Sequence, residues 1–138
     1  MACVALGAAP GKQKTMSQNP NLPSRVSVIA LGVTNISESA AFYRDTLGLE
    51  VRVQSEGLAF VSLSGLTLML SRELGKAFQP VAGATEIVFP VANVTAAHEL
   101  LTQRGCRFIN EPHEVSPGSW AATFTDPDGH KLTAFGPR

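Results

Sequence analysis

Charge of one sign is not in excess here: across 138 residues, eleven Asp and Glu balance eleven Lys and Arg. No positive field is available to gather nucleic acid or an anionic membrane, and no acidic tail exists to repel them. Cysteine is scarce. Cys3 and Cys106 stand without companions at metal-ligand spacing, which fits two free thiols in a reducing cytoplasm rather than a disulfide framework. No apolar run approaches the roughly 18 residues that a membrane span requires. Also missing are a G-x-S-x-G nucleophile elbow, a G-x-G-x-x-G turn and a Walker-type loop, so neither serine-nucleophile catalysis nor a nucleotide fold has support. The histidines His98, His113 and His130 match no compact metal motif in their spacing.

What is present is the length of one ordinary domain with enough residues to bury a core. Residues 1–24 read as a flexible leader, since Gly, Pro, Gln, Asn and Ser dominate from Gly11 to Ser24. Its lysines follow its short apolar patch, the wrong order for a secretory signal. A single domain is expected over residues 25–138, and it reads as a repeat. VSVIALGV suggests a strand, Asn35 a helix cap, SESAAFYRDTLG a helix stopped at Gly48, and LEVRVQ, LAFVSL and LTLMLS three further strands. After a polar connector around residues 72–83, EIVFPV, the cap candidate Asn93, the helix VTAAHELLTQRG and the runs CRFIN, SWAATFT and HKLTAF repeat that order. The stretches EPHEVSPG and DPDG read as turn-rich links, with Asp126 and Asp128 as turn residues. A shift of 58 positions lays Asn35 on Asn93 and Val33 on Val91. The first module spans about 25–72 and the second about 84–136.

The stretches VTNISESAAFYRDTLGLEV, VANVTAAHELLTQRGCRF and FTDPDGHKLTAFGP resemble the vicinal oxygen chelate superfamily, the glyoxalase, bleomycin-resistance and extradiol-dioxygenase group. The resemblance implies an α+β fold of two βαβββ modules whose sheets curve into a cup, helices outside and a ligand cavity within. It also implies a homodimer, because relatives pair modules across a dimer and bleomycin-binding members place ligands at that interface.

Catalytic members hold a divalent ion with four side chains, His, Gln or Glu, one from each of four cup strands. Carrying those positions over gives Val28, Met69 (within one residue), Glu86 and Thr133. A valine coordinates nothing, a thioether is too soft for such ions and a threonine hydroxyl is weak, which leaves Glu86 alone. No metal or other cofactor is therefore expected. Strand alternation places Val28, Ala30 and Gly32, and Glu86, Val88 and Pro90, toward the cup. Phe135 shares a strand face with Thr133, and Trp120, the only tryptophan, suits a ligand cavity or a dimer interface, with plain core packing weighing as much as those two together. The expected ligand-binding set is thus Val28, Met69, Glu86, Trp120, Thr133 and Phe135, and the expected partner is a small, partly apolar molecule held without the usual metal. The alternatives are a glyoxalase-like lyase or isomerase or a dioxygenase with a divalent metal on relocated ligands, and a metal-free proton-transfer enzyme using Glu86 as its catalytic base.

Overall fold

A computed structural model describes residues 20–22, 25–77 and 85–138. Most of the expected leader, Cys3, and the part of the connector at 78–84 lie outside the described residues.

The first module runs β1 (Val28–Gly32), α1 (Ile36–Ala41), β2 (Glu50–Gln54), β3 (Leu58–Leu63) and β4 (Leu66–Ser71), with α1 continued by a π-helical segment, Phe42–Thr46. Its sheet has the order β1-β4-β3-β2, with β1 parallel to β4. The helix starts where Asn35 Oδ1 accepts the Glu38 N–H at 3.0 Å, satisfying an amide that no helical carbonyl can reach.

A short helix α2 (Arg72–Ala77) comes next, where the polar composition suggests only a connector. It lies against the end of β1: a Cβ on Gly75 would stand 2.4 Å from the Val33 carbonyl oxygen, so only glycine permits the approach.

The second module runs β5 (Glu86–Pro90), α3 (Val94–Gln103), β6 (Arg107–Phe108), β7 (His113–Ser116), β8 (Ser119–Thr125) and β9 (Lys131–Gly136). Its order is β5-β9-β8-β6, with β5 parallel to β9 and β7 also on β8. Asn93 repeats the cap, accepting the Ala96 N–H at 2.7 Å. The strand β7 corrects the expected EPHEVSPG turn link and takes His113 out of a loop; all four of its residues are exposed, and it is held by backbone pairing to β8. Together β6 and β7 fill the place that β2 has in the first module.

Each sheet buries one face. Leu31, Val33, Ala59, Val61, Leu68 and Leu70 of the first sheet share a core with Phe124, Leu132 and Ala134 of the second, and with Ile36, Ala40 and Tyr43 of the helical segment. At about 1.5–3 kcal/mol for each large apolar side chain removed from water, this shared core drives the packing of the two modules. The opposite faces of both sheets therefore point away from it.

Candidate functional site

Strand register assigns every outward residue, because partners across a ladder share a face. On the first sheet Val28 faces out beside Thr67, Ala30 beside Met69, and Met69 beside Phe60. On the second, Glu86 lies beside Lys131, Val88 beside Thr133, and Pro90 beside Phe135, with Thr123 flanking Thr133. The register thus puts Val28 and Met69 on one outward face and Glu86, Thr133 and Phe135 on the other. Trp120 is not among them. It pairs with Gly136 and shares the side of Ala122 and Phe124, so the register takes it off the cup face; its ring lies under the Arg138 guanidinium at 4.8 Å.

Phe60 faces out as well, between the buried Ala59 and Val61. The signal was available: the Ser64-Gly65 turn makes Leu63 the partner of Leu66, and counting back three pairs sets Phe60 against Met69. Phe89 does pack against the core.

Glu86 is exposed and accepts a hydrogen bond from the Thr133 hydroxyl. Thr133 in turn lies 2.9 Å from the Thr123 hydroxyl, and both threonines are about 95% buried, with relative exposures of 5% and 6%. An ionised carboxylate can only accept, so Thr133 spends its one hydrogen on Glu86 and Thr123 donates to Thr133. The chain Thr123, Thr133, Glu86 is oriented in one direction and holds the carboxylate in place. Lys131, the register partner of Glu86, is in none of the ion pairs among the described residues.

A second cluster ties the modules together. Asp128 Oδ1 accepts from the Thr34 N–H at 3.0 Å and the Thr34 hydroxyl at 2.8 Å, while its Oδ2 accepts from the Ser39 hydroxyl at 3.2 Å. His130 Nε2 lies 2.7 Å from the Gly32 carbonyl, which requires the hydrogen to be on Nε2. Asp126 is buried and accepts from the Tyr43 hydroxyl at 2.9 Å and from the N–H groups of Asp128 and His130. The DPDG segment is a turn, as its residues suggest, but its carboxylates also grip the first module, which turn chemistry alone does not reveal.

Three concavities of the single chain lie away from Glu86. One borders Asn35, Glu56 and Arg72, one Cys106 and Asp126, and one is an apolar crevice at Leu47, Phe89 and Leu101. Burial pushes the Cys106 thiol up to about 11, so it offers no thiolate nucleophile at neutral pH.

The profile of the Glyoxalase/Bleomycin resistance protein/Dioxygenase superfamily matches residues 25–133. The chain belongs to this superfamily. Metallothiol transferase FosB of Staphylococcus haemolyticus (strain JCSC1435) is 29% identical to it over 110 residues, 78% of this chain and 79% of that protein. A glyoxalase-related enzyme from Fulvimarina pelagi shares its fold with a TM-score of 0.70 at 21% identity, over 82% of this chain and 88% of the other. TnmS3, an antibiotic binding protein from Streptomyces sp. CB03234, does so with a TM-score of 0.69 at 22% identity, over 84% and 98%.

The superfamily's divalent ion does not fit the residues present. Val28 and Met69 offer an isopropyl group and a thioether, and the Thr133 hydroxyl is committed to Glu86 and Thr123. His98 meets Phe108 in a tilted ring contact, centroids 4.3 Å apart, with its Nε2 3.5 Å from a Glu111 oxygen, and His130 is engaged by Gly32, so neither is turned toward Glu86 as a relocated ligand. Among the described residues no three His, Cys, Asp or Glu converge.

Proposed function

We propose that this superfamily member binds a small, partly apolar molecule in a cup assembled from two copies of the chain, with no metal at the inherited positions. The reading rests on one observation: the outward faces of the two sheets carry Val28, Ala30, Phe60, Met69, Val88 and Phe135, yet point away from a shared core. Such faces are apolar enough to bind, and one chain leaves them open. A second copy completes them, setting the first sheet of one protomer against the second sheet of the other. The edges of β1 and β5, each paired on one side only, give that assembly backbone groups to share. The same fold serves an antibiotic binding protein, which is the kind of ligand chemistry proposed. Val28, Met69, Glu86, Thr133 and Phe135 belong to this site, and Trp120 is left out of it.

Native mass spectrometry of the purified protein tests the proposal. The expected species is a dimer that takes up small aromatic compounds and carries no stoichiometric metal after incubation with Mn, Ni, Zn or Fe. A monomer with no uptake, or one tightly held metal per cup lost in Glu86→Gln, overturns it.

A further inference from the structure

Resting on that reading of the cup, we propose that the ligand carries a cationic nitrogen, such as a primary amine, which Glu86 receives. Across the outward positions of the inner strands and β1 and β5, register leaves two charged side chains, Glu86 and Lys131, while the far edges add Glu50 on β2, paired with Arg52, and Arg107 on β6, two strands beyond Lys131. Everything else there is apolar, hydroxyl-bearing or glycine. Closing such a face strips water from a carboxylate, and a desolvated carboxylate needs a cation or several donors.

The protein supplies Glu86 with one hydroxyl donor. Thr133 occupies Oε1, and the buried Thr123 fixes that hydroxyl's direction, so the carboxylate keeps one orientation. Oε2 has no partner in the described hydrogen bonds. Lys131 stands on the adjacent strand at the same level but forms no ion pair with it. The carboxylate is held ready, half satisfied, and among the described residues no cation pairs with it. An ammonium fits this vacancy, because a charge-assisted hydrogen bond is about twice as strong as a neutral one. The Val88 and Phe135 side chains on the same face accept the apolar remainder of such a molecule.

The test uses three probes of one shape, 4-phenylbutylamine, 4-phenylbutanol and 4-phenylbutyrate, titrated into the dimer by calorimetry and ligand-observed NMR. The amine is expected to bind about tenfold or more tightly than the alcohol, and the carboxylate more weakly than both. Glu86→Gln should remove most of the amine's advantage over the alcohol, and Thr133→Val should reduce that advantage in part. Lys131→Met should leave that advantage intact or enlarge it. Equal binding of amine and alcohol by the native protein removes the cation site but leaves the cup. An amine advantage that emerges only in Lys131→Met means that Lys131 neutralises Glu86, and overturns the proposal likewise. Binding of none of the three removes both the cation site and the cup.

Discussion

Asp126 is a carboxylate with 4% of its surface exposed, and its environment works in opposite directions. Burial raises its pKa above the ordinary aspartate value; the nearby His130 and the hydrogen bonds from His130, Tyr43 and Asp128 pull it down without cancelling the rise. The Tyr43 hydroxyl, raised by its own burial and by the two aspartates, stays protonated and serves as a permanent donor. A carboxyl group whose folded pKa exceeds its unfolded one binds its proton more tightly when folded. Its contribution to stability is complete below the unfolded value, about 3.9, and is lost as pH rises through the folded one. Urea midpoints of the native protein and of Asp126→Asn, taken from pH 3.5 to 7.5, should show this. The stability difference between them should shift against the native protein as pH climbs out of the acid range and then level off. A difference that is constant with pH would show that Asp126 does not titrate differently in the two states.

The helices α1 and α3 begin alike, and their caps are where local sequence spoke most clearly. Asn35 and Asn93 each accept the N–H three residues on, as their positions at a matched offset of 58 imply. Asn93 does more: its amide nitrogen donates to the Arg138 carbonyl at 2.7 Å, and the Val94 N–H reaches the Pro137 carbonyl at 2.8 Å. Asn35→Ala should cost about 1 kcal/mol, the usual value of a cap. Asn93→Ala should cost about 1 kcal/mol more, because a second hydrogen bond is lost with it. Asn93→Asp separates the two contributions, keeping the cap oxygen and removing the donor, and should fall between; equal losses for Asn35→Ala and Asn93→Ala in chemical unfolding would refute the added role. Elements with weaker local signals were not legible. Pro112, Pro117 and Gly118 bracket β7 and read as turn, yet its exposed residues become a strand because β8 offers an unpaired edge. The π-helical segment at Phe42–Thr46 has no composition of its own and is set by packing, with Tyr43 drawn fully inside.

The relation between the two modules was the least legible feature, since strand alternation tells which residues share a face but not where two faces meet. Val28 and Glu86, 58 positions apart, open β1 and β5, and register keeps them on the outward side of their sheets. What the repeat cannot say is that the two modules share one core behind their outward faces, because that depends on contacts such as Thr34 to Asp128, 94 residues apart. Asp128 is the clearest lever on this arrangement. It accepts three hydrogen bonds from the first module, and its turn partner His130 makes a fourth contact to Gly32. Asp128→Ala should lower unfolding stability by roughly 1.5–3 kcal/mol, the range for hydrogen bonds to a charged group. If two copies form the cup, the angle between modules also fixes where the partner's faces must lie, and loosening it should weaken the dimer several-fold in sedimentation equilibrium. Asp45→Ala is the control: its carboxylate pairs only with the neighbouring Arg44 at the surface, and neither stability nor dimer should change measurably. A dimer constant unchanged in Asp128→Ala, at protein concentrations where the variant is fully folded, would mean that the module junction does not set the assembly. The two copies would then be held by strand edges alone, β1 against β5, and a proline at Ala30 would be the substitution that separates them.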